Sequence, residues 1–288
     1  MLVNGKEILN WANLNKCAIP SPDFVNQDTL KTYVEVAEMV KMPIIVSFSE
    51  AHKKFMSLEE AAMLGKYYGK MANVPVCLHI DHGKSVDFIK EAIDQGFTSV
   101  MIDASLDTFS ENVRKTIEIV NYAHERNVTV EAEIGHVGSG KNYENEKESD
   151  SIYTSVDDCV KFVGLTGVDS IAVSIGTAHG IYKGGTPNIN FERLQEIKNH
   201  VSIPLVLHGG SSSGDENLRK CAILGISKIN IFTDIVNEGY KEIQCSCISN
   251  MTEVYEAGKI GMKRALLHYY KLFCKRDSSQ IFPKWKSF

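Results

Sequence analysis

Short apolar runs and longer amphipathic stretches alternate along the chain. The runs are rich in β-branched residues and apolar enough to be buried on both faces of a parallel sheet. They predict eight strands, at residues 16–20, 43–49, 75–81, 98–104, 128–134, 169–176, 203–208 and 227–232. The stretches between them have helical periodicity and predict helices at 27–40, 57–72, 84–95, 111–126, 155–166, 191–199 and 214–224, with another beginning near 234.

Residues at the ends of the predicted helices agree with this assignment. Ser57 and Glu60 have the spacing of a capping box, and Ser110 marks the start of the next but one helix. Gly96 and Gly225 directly follow helical patterns, which is where glycine commonly ends a helix. The repeating element of the fold is therefore a strand followed by a helix.

Eight strand–helix units in series predict an α/β fold, and eight is the number of strands that closes a TIM (β/α)8 barrel. The remaining residues, near 234–275, are predicted as the eighth helix and a C-terminal helical extension. An open doubly wound sheet is the alternative. We favour a TIM barrel with a C-terminal helical extension, as a single domain over residues 1–288.

The composition and net charge limit the cellular locations and the classes of binding partner that we expect for the chain. No run approaches the roughly 20 apolar residues of a membrane span, and the N-terminus lacks the apolar segment of a secretion signal. The net charge is −5 and no basic block stands out, so nucleic acids and membrane surfaces are not expected partners. We expect a cytoplasmic protein, in which the seven cysteines, lacking paired spacing, are reduced thiols.

Polar side chains stand where almost every predicted strand ends. The strand starts carry no comparable set. Because barrels place their active sites at the C-terminal ends of the strands, these residues are candidates for catalysis and binding. In chain order they are Asp23, Ser49, Asp81, His82, Asp103, Glu131, Glu133, His179, His208 and Asn230.

Three histidines, His82, His179 and His208, lie just past strand ends. With the carboxylates of Asp103 and Glu133 nearby they suit zinc with an open coordination position, because catalytic zinc commonly takes three protein ligands. Ordinary loop histidines are the alternative. His79 is interpreted as a hydrogen-bonded core residue, and four others as solvated surface: His52, His124, His200 and His268.

Asp81 directly precedes His82, so their side chains are expected on opposite sides of the strand. A carboxylate that ends an apolar strand is costly unless it is paired. A structural carboxylate–histidine pair is therefore one interpretation of Asp81. Beside a metal ion, general acid/base catalysis is the sharper one.

The segment 208–220, HGGSSSGDENLRK, follows the seventh strand and begins a helix. Gly209 and Gly210 allow close approach of the backbone, and their N–H groups can bind an anion with the helix start. A tight turn would explain two glycines equally well. Barrels frequently bind phosphate after strands seven and eight, and the next loop adds Asn230 and Thr233 as donors. We therefore predict a phosphorylated substrate.

The segment 136–150 is polar and acidic, and we interpret it as a mobile lid over the barrel mouth. A mere surface loop is the alternative. The lid overlaps a match to G-x-x-x-x-G-K, but Asn142 stands where a P-loop needs Ser or Thr for magnesium. A nucleotide-binding P-loop is not expected.

Six motifs together resemble the class II fructose-bisphosphate aldolase family, which includes tagatose-bisphosphate aldolases. The resemblance covers about residues 1–275. It implies an aldehyde-lyase that reversibly cleaves a fructose- or tagatose-1,6-bisphosphate-like ketose into dihydroxyacetone phosphate and an aldehyde. The motifs are LHIDHG (78–83), SVMIDAS (99–105), VEAEIG (130–135), GTAHGIYKG (176–184), LVLHGGS (205–211) and KINIFTD (228–234).

By these motifs, His82, His179 and His208 would hold the catalytic Zn2+, and Asp103 and Glu133 would support them or bind a second divalent ion. The metal would act as a Lewis acid on the enediolate left by bond cleavage. No Schiff-base lysine is needed, and the strand pattern places no lysine at an apolar strand end.

Asp81 would exchange a proton with the C4 hydroxyl as the C3–C4 bond breaks or forms. The backbone near Gly180 and Gly209 would host Na+ or K+, and the protein would be a homodimer or homotetramer. The residues that would bind dihydroxyacetone phosphate, with Ser49 at its strand end, are Ser49, Gly180, Gly209, Gly210, Ser211, Asn230 and Thr233.

Three positions depart from the family pattern. Lys141 stands near the lid glutamate that moves the C3 proton in relatives, so Glu144 or Glu146 is the candidate replacement. Phe232 and Asp23 also replace smaller or neutral residues at the mouth. These differences favour another aldehyde, unphosphorylated or longer. A metal-dependent sugar-phosphate isomerase or epimerase, and an inactive sugar-phosphate-binding paralogue, stay open as alternatives.

Overall fold

The computed structural model of the chain describes residues 1–135, 137, 153–178, 180, 182 and 185–274. A short 3-10 helix, Glu50–Lys54, follows the third strand. The strands are β1 (Leu2–Val3), β2 (Ile19–Ser21), β3 (Ile44–Ser49), β4 (Val76–Gly83), β5 (Ser99–Ile102), β6 (Thr129–Ile134), β7 (Ser170–Val173), β8 (Leu205–Leu207) and β9 (Ile226–Asn230). The α-helices are α1 (Gly5–Asn15), α2 (Gln27–Val40), α3 (Leu58–Met71), α4 (Val86–Gln95), α5 (Phe109–His124), α6 (Val156–Thr166), α7 (Phe191–His200), α8 (Asp215–Leu224), α9 (Thr233–Cys245) and α10 (Met251–Phe273).

Strands β2 to β9 form a parallel sheet that closes on itself. Each strand from β3 to β8 pairs with the next in chain order, and β9 pairs with β2. The circle closes between β2 and β3 through a parallel bridge of Asp23 with Ser47, where the Phe24 N–H donates to Ser47 O at 2.9 Å. The predicted TIM (β/α)8 barrel with a C-terminal helix is confirmed, and the open-sheet alternative is wrong.

The main apolar core lies between the barrel wall and the surrounding helices. Outward-facing strand residues such as Leu78 and Val130 pack in one cluster with helix residues such as Phe162 and Leu266. Burying a side chain of this size stabilises the fold by about 1.5–3 kcal/mol relative to exposure. This layer holds the strands, and hence their C-terminal ends, in fixed positions.

Helix α1 covers the N-terminal end of the barrel. It begins at the cap residue Asn4, whose side chain accepts the Lys6 N–H, and it ends at Lys16 in a left-handed conformation. The opposite, C-terminal end is therefore the mouth of the barrel. The buried residues that close the N-terminal end are Ile8, Leu9, Ala12, Ile19, Ile45 and Cys77.

The predicted elements agree with the structure to within a few residues. All eight strands and the helices between them are present, and the capping box of Ser57 with Glu60 and the terminal glycines Gly96 and Gly225 are confirmed. Thr108, not Ser110, caps α5. The sequence analysis did not predict β1, α1 or the 3-10 helix. The segment after residue 233 is divided into α9 and α10.

The cysteines differ from the expectation. Cys17, which precedes β2, and Cys274, which follows α10, form a disulfide with a Cα–Cα distance of 4.9 Å. The expectation of reduced thiols is therefore wrong for this pair, since 257 residues separate partners that only the fold brings together. Among the described residues, no helix has both the length and the apolar character that crossing a membrane requires.

Candidate active site

Five of the predicted residues meet at the C-terminal mouth of the barrel. Ligand atoms of Asp81, His82 and His208 lie within 4.8 Å of one another, and so do those of His82, Asp103 and Glu133. Because His82 belongs to both groups, the five side chains form one cluster. They come from the ends of four strands, β4, β5, β6 and β8.

The position of His82 depends on an irregularity in β4. Its φ is 47°, in the left-handed region that non-glycine residues seldom occupy, and the pairing of β4 with β5 shifts register between Ile80 and Gly83. His82 Nε2 lies 4.0 Å from Asp81 Oδ2. The expectation that these two side chains project to opposite sides is therefore wrong, because the strand loses its regular alternation at this point.

Short polar contacts fix the rings of the cluster. His82 Nδ1 lies 2.9 Å from Asp103 Oδ2, and the His82 and His208 ring centroids are 4.4 Å apart. His208 Nδ1 is 3.9 Å from Asp81 Oδ1. The same Asp81 oxygen accepts a hydrogen bond from Asn230 Nδ2 at 2.7 Å.

Burial and mutual charge shift the pKa values of the cluster. Burial disfavours a charged His82 ring, but the nearby carboxylates, Asp81 foremost, outweigh it and raise the pKa of His82 to about 10. Burial also disfavours ionised Asp81, yet His82 and His208 lower its pKa. For Glu133, burial and then the charge of Asp103 raise the pKa to about 8. The cluster concentrates negative charge in a site that a cation would stabilise.

The donor atoms of the cluster fit a divalent metal ion. Imidazole nitrogens and carboxylate oxygens are the usual non-sulfur ligands of zinc. Glu133 Oε1 accepts the Val137 N–H at 3.0 Å, but Glu133 Oε2 is buried and accepts no hydrogen bond from any described residue. Since a buried acceptor without a partner is costly, a cation beside Glu133 and His82 would satisfy it.

Three predicted residues lie outside the described residues: His179, Glu144 and its alternative Glu146. The geometry of the cluster given above therefore does not include these three residues. The flanking part of the loop after β7 is held by Tyr182, whose hydroxyl accepts the Ala178 N–H at 2.6 Å and donates to Ala178 O at 2.9 Å.

The two glycines after β8 are required by close backbone packing. A Cβ on Gly209 would lie 2.5 Å from Ala178 O, and one on Gly210 would lie 2.7 Å from Asn230 O. Gly209 also has a φ of 69°, which disfavours any other residue. The loops after β7, β8 and β9 therefore touch one another through their backbones.

Ser211 and Asp234 join the loop after β8 to the start of α9. Ser211 Oγ accepts the N–H groups of Phe232 and Asp234 at 3.2 and 3.3 Å. Asp234 Oδ2 in turn accepts the Ser212 N–H at 2.7 Å. Thr233, the first residue of α9, is thereby held next to Ser211.

Helices α8 and α9 differ from the other described α-helices at their N-termini. In each of the other eight the N-cap side chain accepts a first-turn N–H, whereas the N-cap residues Gly214 of α8 and Phe232 of α9 make no such bond. At α9, Ser211 from the loop after β8 accepts the Asp234 N–H instead. Uncapped N–H groups and the positive end of the helix dipole attract anions. The uncapped start of α8 and the start of α9 both lie at the mouth, where the sequence predicts phosphate binding.

Asp23, His52 and Phe232 form a further polar–aromatic group beside Asp81. His52 Nδ1 is 3.8 Å from Asp23 Oδ2, with each side chain only 13% exposed, and the His52 ring centroid is 4.9 Å from that of Phe232. The interpretation of His52 as solvated surface is therefore wrong. Burial, followed by the charge of Asp81, raises the pKa of Asp23 well above its usual value. Ser49 is paired with Asp81 in register.

Lys228, which the sequence did not single out, pairs with the predicted residue Glu131 inside the barrel, below the cluster. Lys228 on β9 is 1% exposed, and its Nζ donates to Glu131 Oε2 at 2.8 Å. Lys228 lies inside β9 and not at its C-terminal end, so it does not contradict the statement that no lysine ends an apolar strand. A lysine and a glutamate inside otherwise apolar strands were the available signal. His79, the third member, is a hydrogen-bonded core histidine as predicted.

Known proteins resemble the chain over nearly its whole length. A family model described as Fructose-bisphosphate aldolase class-II matches residues 3–278. The crystal structure of the YdjI aldolase from Escherichia coli K12 superposes with a TM-score of 0.85 at 33% identity, covering 95% of this chain and 97% of that one. A putative fructose-1,6-biphosphate aldolase from Coccidioides immitis superposes with a TM-score of 0.83 at 27% identity, covering 95% and 96%.

The fructose-bisphosphate aldolase (Fba) of Campylobacter jejuni has the same fold, with a TM-score of 0.80 at 24% identity and coverage of 94% of this chain and 95% of that one. The family match extends across every strand of the barrel, including those that carry the cluster. The chain belongs to the class II fructose-bisphosphate aldolase family and is an aldolase, a carbon–carbon lyase.

Proposed function

We propose that the protein is a zinc-dependent ketose-bisphosphate aldolase that reversibly forms dihydroxyacetone phosphate and an aldehyde. The observation that carries this proposal is the convergence of Asp81, His82 and His208 with Asp103 and Glu133 at the mouth. It joins potential metal ligands to a carboxylate that can transfer protons, which are the two groups that aldol cleavage through an enediolate needs.

His82 and His208 would hold the zinc ion, with His179 as third ligand by its place in the family motif. Asp103 and Glu133 would orient these ligands or hold a second divalent ion. When bound, the metal supplies Lewis-acid stabilisation of negative charge on the substrate oxygens. The 2.9 Å contact of Asp103 with His82 Nδ1 supports the assignment, because such a contact orients the ring and directs Nε2 toward a metal.

Asp81 is the proposed acid/base at the C4 hydroxyl. In the cleavage direction its carboxylate accepts the hydroxyl proton, and in condensation it returns that proton. The Asn230 side chain donates to Asp81 Oδ1 at 2.7 Å and so fixes the orientation of the carboxylate. Glu144, on the segment after β6, is the proposed base for the C3 proton.

The substrate phosphate is proposed to bind between the loops after β8 and β9. Gly209 and Gly210 bring the backbone close, and the uncapped start of α8 favours an anion. Ser211 and Thr233 contribute at the same place. The remaining proposed contacts with the triose phosphate come from Ser49, Gly180 and Asn230.

The group of Asp23, His52 and Phe232 bears on the identity of the aldehyde. An ionised Asp23 would repel a second phosphate, and a protonated Asp23 would donate a hydrogen bond to a hydroxyl. Both states favour an unphosphorylated, hydroxylated aldehyde, for which the ketose substrate would be a monophosphate; this is the alternative to the bisphosphate proposed above. This part of the proposal is tested by condensing dihydroxyacetone phosphate with a panel of phosphorylated and unphosphorylated aldehydes.

Two variants separate metal binding from proton transfer. His208→Ala is expected to lose zinc and activity, whereas Asp81→Ala keeps zinc and loses turnover. Zinc content after dialysis and triose phosphate release from ketose bisphosphates are the measurements. His124→Ala is the matched control, because His124 pairs with Asp169 on the outer surface. Full turnover by Asp81→Ala would reject its assigned role.

The same assay separates the rival functions. Formation of an isomer without triose phosphate would identify an isomerase or epimerase, and tight binding without turnover in the zinc-loaded protein would identify an inactive paralogue. Chelation should abolish the aldolase activity and zinc should restore it. Borohydride added with substrate should trap no adduct, since Lys228 donates its hydrogens to Glu131 and His79.

A further inference from the structure

A buried network of three polar side chains, Lys228, Glu131 and His79, lies directly below His208 and contacts it. Lys228 Nζ is within hydrogen-bond distance of Glu131 Oε1 at 3.0 Å, Glu131 Oε2 at 2.8 Å and His79 Nε2 at 3.0 Å. Glu131 Oε1 also contacts His208 Nε2 at 3.0 Å. Lys228, Glu131, His79 and His208 are each no more than 1% exposed, so water does not compete for these contacts.

The hydrogens of this network can be assigned by counting donors. A lysine ammonium has three N–H donors, and Lys228 has three acceptors in contact, so each hydrogen is used. His79 Nε2 accepts one of them and therefore carries no proton. Its proton is on Nδ1, which donates to Ser99 Oγ at 2.9 Å.

The same count decides which nitrogen of His208 carries a proton. Both oxygens of Glu131 accept hydrogens from Lys228, so Glu131 acts in this network as a hydrogen-bond acceptor. His208 Nε2 must therefore be the donor in its 3.0 Å contact with Glu131. In the neutral ring this leaves Nδ1 as the nitrogen with a lone pair, and Nδ1 is the atom that faces Asp81, at 3.9 Å from its Oδ1.

We propose that Glu131 and Lys228 are positioning residues that lock His208 in the Nε2–H tautomer and thereby present Nδ1 to the metal. Glu131 orients the ring, and Lys228 holds Glu131 in place by donating to both of its oxygens. The inference rests on the metal site of the proposed function. It assigns roles to two residues outside the proposed metal-ligand and substrate-binding set.

The first test is the tautomer of His208 in the metal-free, full-length protein. Nitrogen-15 NMR of histidine-labelled protein distinguishes the Nε2–H form from the Nδ1–H form, with His208→Gln used to assign the signal. The wild type should give the Nε2–H pattern. Glu131→Gln should give a mixture, because an amide has one acceptor oxygen and cannot serve both Lys228 and His208 as a carboxylate does.

The second test is the zinc affinity of the same proteins, measured by competition with a chromophoric chelator. Loss of a group that orients a metal ligand typically weakens binding about 10–100-fold, and that loss is expected for Glu131→Gln. Lys228→Met alone leaves a buried carboxylate unpaired and endangers folding. The double variant Glu131→Gln/Lys228→Met removes both charges and should fold with the same loss of affinity.

Ser99→Ala is the matched control. It removes a hydrogen bond from the His79 end of the network and leaves the contact between Glu131 and His208 in place. Its His208 tautomer and zinc affinity should equal those of the wild type. The inference is overturned if Glu131→Gln keeps the wild-type tautomer and affinity. Failure of the wild type to bind zinc would instead reject the proposed metal centre, and the tautomer would still test the role of Glu131.

Discussion

His82 combines an unfavourable backbone with a central place in the cluster. A non-glycine residue in the left-handed region costs about 1–3 kcal/mol, so its φ of 47° requires support from its surroundings. Asp103 holds the His82 ring, and Gly83 lets the chain pass Met101, since a Cβ on Gly83 would lie 2.8 Å from Met101 O. Strand β4 is thus irregular at the position where the His82 side chain turns toward Asp81.

The close packing around Gly210 predicts the effect of adding a single carbon atom, the Cβ of alanine. In Gly210→Ala the new Cβ would lie 2.7 Å from Asn230 O and 2.6 Å from Ile229 Cγ2, so the loop after β8 must move away from β9. We expect weaker binding of dihydroxyacetone phosphate, measured by calorimetry. Overpacking of this kind typically also costs about 1–3 kcal/mol of stability, measured by denaturant unfolding.

The control for this substitution is Gly164→Ala. Gly164 is exposed in α6, and a Cβ there would meet no atom within 4 Å. Alanine is a better helix former than glycine by about 0.8–1 kcal/mol, so this variant should be slightly more stable with unchanged ligand binding. Equal ligand affinity in the two variants would show that the loop does not depend on Gly210.

At the scale of elements, strong periodicity of apolar residues made the barrel strands and helices predictable. Elements with weak periodicity, such as β1 and α1, were not predicted. The eight barrel strands are long enough, or apolar enough, to be recognised without their neighbours. Strand β1 has only two residues and exists through its pairing with Val76 and Cys77 of β4. Helix α1 has the sequence GKEILNWANLN, in which three asparagines weaken helix propensity, and it is stabilised by the barrel end it covers.

The residues of the candidate site were predictable from the sequence, but the directions in which their side chains project were not. The rule that barrels act at their strand ends finds Asp81, His82 and His208. It cannot give the side on which His82 projects, because that depends on a register shift between two strands. It also passes over Lys228, whose partner Glu131 is 97 residues away and is recognised only when the barrel brings both side chains inward.

Helix α10 connects the C-terminal extension to the mouth. Tyr269 donates its hydroxyl hydrogen to Asp234 Oδ2 at 2.6 Å, the same oxygen that accepts the Ser212 N–H. A hydrogen bond to a charged group contributes about 1.5–3 kcal/mol. In Tyr269→Phe we expect Asp234 and the loop after β8 to be less well held, which should raise the KM for dihydroxyacetone phosphate several-fold while zinc content stays unchanged.

Tyr270→Phe is the control from the next position of α10. Tyr270 donates to Pro43 O at 2.9 Å, away from Asp234. Its loss should lower the melting temperature without a change in KM. If both variants change KM equally, the effect belongs to the packing of α10 as a whole and the connection through Tyr269 is refuted.

Across the whole molecule, the barrel interior changes from apolar to charged along its axis. The N-terminal end is filled by α1 and apolar strand residues, and Met101, Ala172 and Val206 form a further small apolar cluster. Lys228 and Glu131 lie beside this apolar cluster, since Lys228 is in register with Val206 and Glu131 with Met101. The cluster of titratable groups follows at the mouth. The apolar end stabilises the fold, so the charged end is free to place titratable groups close together.

The Cys17–Cys274 disulfide yields a prediction about the molecule as a unit. It joins the segment before β2 to the end of α10, where Ala18 N also donates to Phe273 O at 3.3 Å. Closing a loop of 257 residues restricts the unfolded chain strongly, and removing a native disulfide typically costs about 2–5 kcal/mol. Cys274→Ser should therefore melt at a lower temperature than the wild type, and its melting temperature should not respond to reductant.

The control is Cys245→Ser, which lacks only an exposed free thiol. The wild type and this control should both melt at a lower temperature once reductant is added. Because the bridge lies at the N-terminal end of the barrel, zinc affinity and KM should be equal in all three proteins below their melting transitions. A wild-type melting temperature that does not respond to reductant would contradict the stabilising role of this bridge.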